Sequence, residues 1–453
     1  MLISRSFRRP RHYIRHLNRH LSNEHGVTMI LVAVSMVAII AMAALSIDVV
    51  TLYLDREETQ RGADAAALAA ARVISLSGIT GTATTATDTT QWQAVCGTTG
   101  TATQVAQQVG AQNAVGGTPG TVTVNYSVAG SAAGSSDCSG LAQAFAINPT
   151  VIVQVTRTGL PTLFSRIWSR NPNTVSATAA AEVFNPSDSG TVASGGQEIP
   201  VVPRCVKPMI LPDEDPLNAG KRFVSRRSGR IGTPGISPGG VIGETFNLTN
   251  DCTGPNCSAP MSTAPPAGSY IPALINTSPA AVAVPSCATD DFQNAVAGCD
   301  ESTMYQCGTV NGAQADLTTN YGADVSSAAQ CLTNYPNGDQ LLTSTYPYQI
   351  QAGSANLIAP TNQIITSSNS IITVPIYNDW LTAGSPQPFP PGNNFPRITI
   401  LGYLQVFVNS VDPSGNGNMN VTVLNVAGCG DNASTTMNAP GSSPVPIRLI
   451  TLQ

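Results

Sequence analysis

The sequence predicts an α+β protein hung on one N-terminal transmembrane helix. Three observations carry this. Val27 to Ile47 is a run without a charged side chain, and an alanine-rich stretch continues it. Farther on, short β-branched segments with alternating polarity are separated by loops rich in Gly and Pro, and all ten cysteines lie in this later part. The expected order is a transmembrane helix continuing into a long Ala-rich helix, a small α/β module, and a β-rich, loop-rich, disulfide-bonded extracytoplasmic region.

Composition narrows the function classes. The chain has 453 residues, of which 10% are charged, against about 25% in an ordinary soluble domain. Together with Gly 40 and Pro 33, too few for a low-complexity chain, that excludes a collagen, a coiled coil and a highly charged disordered tail. A net charge of −5 argues against nucleic acid as a partner. The length suits two or three domains. All four histidines, His12, His16, His20 and His25, lie in the first 25 residues. Everything beyond them lacks the imidazole needed for Ser-His-Asp or Cys-His catalysis or for a His-ligated metal.

The apolar run has the length of a membrane span, since a bilayer core of about 30 Å needs about 20 residues of helix. Before it stand Arg5, Arg8, Arg9, Arg11, Arg15 and Arg19 against one acid, Glu24. From residue 75 onward, twelve basic residues face twenty acidic ones. Positive charge marks the cytoplasmic side, so residues 1–25 are expected inside and residues from 48 onward outside. Arg11, Arg15 and Arg19 form an i, i+4 stripe beside His12, His16 and His20. The stripe suits anionic lipid or serves as a topology signal alone. Two processing routes compete with a retained anchor. Ala41-Met42-Ala43 has the A-x-A pattern of signal peptidase sites, and cleavage after Gly26 would be of prepilin type, with Leu31 where such substrates usually carry Glu.

The helix is expected to run past Asp48. Val49, Val50, Leu52, Tyr53 and Leu54 continue it, and Glu57 and Arg61 are an i, i+4 pair in the favourable order. Ala63, Ala66, Ala67, Ala70 and Ala71 form a strip of small residues that lets a helix or sheet approach closely. Gly62 is the expected weak point.

These residues carry a resemblance. Gly26-Val27-Thr28 leads into the apolar span, followed by Ile47-Asp48, Tyr53, Arg56, Gln60 and Ala63-Asp64-Ala65-Ala66-Ala67-Leu68-Ala69. The pattern resembles the N-terminal signature of the Tad (tight adherence) / Flp pilus-assembly family, TadE/TadG-like. One departure is Val50-Thr51, where the family often has Gly. A weaker similarity covers Val151–Arg157, Pro161–Phe164 and Thr174–Ala181. The resemblance implies Gly26, Asp48, Tyr53, Arg56, Gln60, Ala63, Asp64, Ala66, Ala67, Leu68 and Ala70 as signature and helix-packing residues. It implies a single-pass protein of the bacterial inner membrane with a periplasmic C-terminal region. Its partners would be other pilus-assembly membrane proteins or pseudopilins, met partly through Ala63–Ala71. No enzymatic activity, cofactor, nucleic acid or small-molecule substrate is implied. The alternative is a minor pilin or surface adhesin released after N-terminal cleavage. Some relatives carry a von Willebrand A domain with a D-x-S-x-S metal site. Asp324-Val325-Ser326-Ser327-Ala328 and Asp412-Pro413-Ser414-Gly415-Asn416 both fail at the last position.

The chain then divides into a basic cytoplasmic tail (1–25), the transmembrane and Tad-like signature helix (26–74), a small α/β module (75–186), a linker (187–200) and a Cys/Pro-rich β-leaning extracytoplasmic region (201–453). In the module a helix is expected over Ala102–Ala114, strands over Thr121–Ser127, Thr150–Arg157 and Thr174–Val183, and a short helix over Leu160–Trp168. Later strands are expected over Ile364–Pro375, Arg397–Val411, Asn418–Val426 and Ile447–Leu452, with a hairpin turn at Asp412–Gly417.

The disulfide candidates are Cys96, Cys138, Cys205, Cys252, Cys257, Cys287, Cys299, Cys307, Cys331 and Cys429. An oxidising compartment favours their pairing, and proximity suggests Cys252–Cys257 and Cys299–Cys307. Asp188-Ser189-Gly190-Thr191 matches one half of an aspartic-protease pair, and no second half exists. Asp213-Glu214-Asp215 is either a calcium-binding run or, as the composition favours, a solvated loop before Pro216. Asp412, Ser414, Asn416 and Gly417 mimic the start of a calcium loop, but Val423 replaces its closing Glu. Lys221, Arg222, Arg226, Arg227 and Arg230 are the basic cluster of the exterior, suited to phosphate, polysaccharide or an acidic partner, or simply an exposed loop.

Overall fold

The computed structural model describes residues 24–81, 89–128, 131–162, 164, 172–185, 201–203, 205–251, 265–276, 289–300, 303, 305–308, 313–379, 393–430, 437–439 and 443–452. The arginine and histidine stripes before His25, the Asp188–Thr191 run, the 187–200 linker and most of the helix expected over 160–168 lie outside them.

Helix α1 (Glu24–Ser77) is one unbroken 54-residue helix, about 81 Å long at 1.5 Å per residue. Its alanines and unbranched side chains favour that state. It ends where Gly78 takes a φ of +74°, the left-handed C-terminal stop glycine provides at little cost. From Val27 to about Leu54 its large apolar side chains are exposed. Its best window has a mean hydropathy of 2.7, and this half is a candidate membrane anchor. The half from Thr59 onward is buried along one side.

That buried side organises the first module. Helices α2 (Thr89–Cys96), α3 (Thr101–Gln112) and α4 (Ala142–Ile147) and strands β1 (Thr121–Val128), β2 (Pro149–Leu160) and β3 (Asn173–Val183) surround it. The strands form an antiparallel sheet with Val124 opposite Val153 and Val153 opposite Ala179. α1 lies across β2 and β3, and α3 lies beside it. Trp92, Phe145 and Tyr126 fill the space behind, at ring separations of 5.9 and 6.1 Å. The Tyr126 hydroxyl pairs with that of Thr103 at 2.7 Å, so this buried ring's polar end has a partner.

The second module is a closed barrel. Its strands are β5 (Met209–Pro212), β6 (Thr245–Asn250), β7 (Ser269–Pro272), β11 (Ile371–Tyr377), β12 (Ile400–Val411) and β13 (Met419–Gly428), in the order β11-β12-β13-β6-β7-β5. Pairs β5–β11 and β6–β7 are parallel. Closure removes free sheet edges. Short strands β4 (Val201–Pro203) and β14 (Met437–Ala439) pair with each other, and β8 (Gln340–Leu342), β9 (Gln349–Gln351) and β10 (Ile364–Ile365) form a small separate sheet. Helices α5 (Asp291–Ala297) and α6 (Gly322–Thr333) pack together outside the barrel. α5 is capped by the Asp290 carboxylate, which accepts the Gln293 N–H at 2.8 Å. The expected turn at 412–417 closes β12 onto β13, with Asp412 accepting from the Ser414 N–H and the Asn416 amide at 2.9 Å each.

The two modules interlock. The last strand, β15 (Ile447–Ile450), returns to pair with β3, so the sheet order is β1-β2-β3-β15. Arg448 grips the buried Glu182 at 2.6 Å and lies over the Phe184 ring. At the end of α1, Asn425 of the barrel donates to the Ser75 carbonyl at 2.9 Å, and Tyr346 donates to the Ser77 carbonyl at 2.8 Å.

Three disulfides join described residues: Cys96–Cys138, Cys205–Cys299 and Cys307–Cys429. Cys331 is also disulfide-bonded. The expected Cys299–Cys307 pair is overturned. The barrel brings Cys205 to one of these cysteines and Cys429 to the other, across 94 and 122 residues of chain. Cys252, Cys257 and Cys287 lie outside the described residues. Closing loops of this length constrains the unfolded chain by about 4–5 kcal/mol each in the chain-entropy account. Peptide mapping of the non-reduced protein will therefore recover 96–138, 205–299 and 307–429 crosslinks. A 299–307 crosslinked peptide would contradict the 205–299 and 307–429 pairing.

Candidate functional site

The signature residues occupy three zones of α1. Gly26 sits near its start, with open space where a Cβ would be. Tyr53, Arg56 and Gln60 are exposed, and the Gln60 amide donates to Asp64 at 2.8 Å. Glu57 and Arg61 form the expected pair at 2.6 Å, in solvent. Asp48 differs from its neighbours. It is only 4% exposed, and its Oδ2 accepts the Phe164 backbone N–H at 3.0 Å.

Ala63, Ala66, Ala67, Ala70 and Ala71 are fully buried, and Leu68 is half-buried against the same core. The sequence reading expected this strip to meet a helix or sheet, and assigned it partly to a second protein. In the structure the chain's own α3, β2 and β3 cover it. Small side chains allow that approach: a Cβ on Gly110 of α3 would stand 2.6 Å from Val122 and 3.6 Å from Ala66. Gly62 proves to be a crossing point. A Cβ there would meet Asn113 at 3.3 Å, so its bare backbone admits the end of α3. Glu58 accepts the Gly116 N–H at 2.9 Å just below, fastening the loop after α3.

The other candidate chemistry lies in the second module. Asp213 and Asp215 are buried, which overturns the solvated-loop reading. The barrel wall encloses them because Val224 N–H donates to Asp213 Oδ1 at 2.8 Å, and Leu217 N–H donates to Asp215 Oδ1 at 2.9 Å. Arg222 links Asp379 at 2.6 Å with Asp213 at 4.0 Å. Burial pushes Asp213 well above the ordinary carboxylate range, and the nearby Asp379 adds to this while the Val224 N–H and Arg222 oppose it. Burial likewise raises Asp379. Lys207 is pushed down to about 8 by burial, and its Nζ donates to the Gly298 carbonyl. Lys221, Arg222, Arg226 and Arg227 line a cleft of 720 Å³. Arg222 thus has an acidic partner; Arg226, Arg227 and Arg230 are exposed, and the charge of Arg226 also reaches Asp213. Asp324 accepts from Gln293 at 3.0 Å, and Ser326 accepts the Gly417 N–H at 2.8 Å, so this failed D-x-S run binds α6 to α5 and to the hairpin turn. Among the described residues no group of three or more His, Cys, Asp or Glu is placed to hold a metal.

Sequence reasoning found the strip but missed what covers it, and it missed the Asp48–Phe164 contact. Neither Asn113 nor Phe164 carries a local signal, since both act through the backbone or by position.

Two outcomes follow. Ala66→Leu will lower stability by about 1–3 kcal/mol, the usual range for overpacking a filled core, whereas Arg61→Ala will cost about 0.5 kcal/mol or less. Denaturant titration of both variants separates them. The second concerns Glu244, which burial, helped by the charge of Asp215, raises from 4.5 to about 7 against the Asn218 hydrogen bond. Its folded pKa lies above its unfolded one, so the native state keeps a proton the unfolded chain releases. Stability therefore falls as pH rises through the window from 4.5 to about 7. Glu244→Gln will remove that part of the fall, gaining on the parent at pH 8 relative to pH 5 in the same titration.

The comparisons with known proteins fall on α1. Residues 26–73 match the Tad family, described as "Putative Flp pilus-assembly TadE/G-like". No curated protein and no solved structure matches the chain. The matched segment starts at Gly26 and ends at Val73, so it includes both the exposed apolar half of α1 and the whole buried alanine strip. Proteins of this family are structural or assembly components. Residues 26–73 are similar to the TadE/G-like Flp pilus-assembly domain, and the match supports a pilus-assembly role.

Proposed function

We propose that the protein is a membrane-anchored structural component of a Tad-type pilus system. Its N-terminal tail lies in the cytoplasm, and its two modules lie on the far side of the inner membrane. The observation that carries this reading is the double use of α1. The family segment exposes an apolar span at one end and forms the spine of the folded exterior at the other. A helix whose outer half is buried among its own strands transmits position rigidly, so the exterior is held at a set place on the membrane. The arginine-rich tail supports the orientation, and the disulfides suit an oxidising exterior.

Contacts with other assembly proteins then fall to surfaces other than the alanine strip, which the chain itself fills. The exposed side of α1 from Arg56 to Arg61 is one such surface. Catalysis has no part in this reading, because the buried acids are tied to the fold by backbone N–H groups and Arg222.

Intact mass of the native protein from each cell fraction tests it. The expected result is a chain that keeps residues before Gly26 and sediments with the inner membrane. A chain beginning at Val27 or Ala44 in a sheared-fibre fraction would overturn the anchored role in favour of a filament subunit.

A further inference from the structure

The charge at Asp48 marks the end of the membrane span in the sequence. The structure removes that charge from the lipid-facing surface. Asp48, Leu52, Asp55 and Thr59 lie on one side of α1, the side that the first module covers. Asp48 is 4% exposed beneath the Phe164 amide. On the opposite side the apolar surface continues without a break. Val49 and Val50 are 57% and 56% exposed, Tyr53 70% and Leu54 51%. The first charged side chains on that side are Arg56 and Glu57.

Three hydroxyls along the apolar half of α1 are also internally satisfied. Ser35, Ser46 and Thr51 each donate to the carbonyl three residues earlier, at 2.8, 2.8 and 2.9 Å. This matters in an apolar medium, where an unmet hydroxyl is costly. The lengths agree. Val27 to Ile47 spans about 32 Å of helix, the thickness of a hydrocarbon core of about 30 Å. From Ile47 the helix rises about 3–5 Å to Val49 and Val50 and about 10 Å to Leu54, against about 5–8 Å for the headgroup layer of one leaflet, so Val49 and Val50 fall within that layer and Tyr53 and Leu54 at its outer edge.

We propose that the outward face of Val49–Leu54, together with Phe164, is a lipid-binding surface seated in the headgroup layer on the extracytoplasmic side. The partner is the bilayer itself, because this face continues the apolar span without interruption. The first module then rests on the membrane with no stalk between them. Its contact through Phe164 on Asp48 lies about 9 Å below the level of Leu54 along the helix, and Ala44, one turn further down, is buried as well. Phe164 is 39% exposed and Tyr53 stands on the free side, so aromatic rings flank the helix at this depth, where such rings concentrate in membrane proteins. The buried carboxylate of Asp48 lets a signature acid sit at this level without facing lipid.

The proposal rests on the anchored reading above, and the test separates the two. The full chain carrying Val50→Cys or Leu54→Cys is spin-labelled and reconstituted in vesicles of phosphatidylethanolamine and phosphatidylglycerol. Val37→Cys serves as the mid-span reference and Gln60→Cys as the aqueous one, with the unsubstituted chain as background. Collision with oxygen is compared with collision with a water-soluble nickel chelate. The expected result is an oxygen-to-nickel ratio at 50 and 54 several-fold above that at 60 and below that at 37. A ratio at 50 and 54 equal to that at 60, with 37 in lipid, overturns the proposal and leaves the anchor standing. Labels at 50 and 54 shielded from both reagents overturn it in favour of a protein covering this face. A label at 37 open to nickel overturns the anchor and the proposal together.

Discussion

Burial of the alanine strip on α1 is the constraint from which the rest of the structure follows. A side chain of one carbon lets β2, β3 and α3 come close to the helix axis, and the close approach is what excludes water from the first module. Larger residues would hold the sheet off and leave Val151, Val153 and Val155 without a partner surface. Alanine also loses no side-chain entropy on burial. A strip of alanines thus brings the highest helix propensity and the closest packing together in one segment.

The second module depends on the same helix by a different means. Its barrel has its own apolar core, with Phe223, Val406 and Val421 among its members. What attaches it is local to the last turn of α1, where Asn425 and Tyr346 meet carbonyls that a helix end leaves unpaired and Leu76 packs with Ile371, Phe407 and Leu424. The return of β15 to the first sheet, with Arg448 on Glu182, closes the connection from the other side. Force or displacement applied to the anchor is therefore passed to both modules. In the role proposed above, this couples the exterior to the membrane-facing end of α1.

The buried acids show how polar groups serve the fold in a chain with few aromatics. Asp213 and Asp215 organise the segment between β5 and β6 through backbone N–H groups, and Arg222 joins that segment to Asp379 at the end of β11. Such groups are costly to bury unless bonded. Their arrangement specifies one path for a long loop that has little apolar surface to direct it. Sequence alone suggested a solvated run there, because three adjacent acids before a proline are usually exposed.

Local chemistry determined a good deal of this protein. The uncharged run from Val27 to Ile47, the alanine spacing from Ala63 to Ala71 and the alternation in Thr121–Ser127 and Thr174–Val183 each report a conformation through side chains that are neighbours in the chain. The Asp412–Gly417 turn does so as well. These features rest on periodicity and backbone preference, which act within a few residues. The partners of those elements were decided by tertiary structure. Cys299 and Cys307 pair with distant cysteines because barrel closure, not sequence distance, sets which sulfurs meet. The alanine strip faces the chain's own sheet, and Asp48 turns away from the free side of α1, because of where β2, β3 and Phe164 come to lie. Contacts across a hundred residues or more are fixed by shape and closure, and no local pattern in the amino acids encodes them.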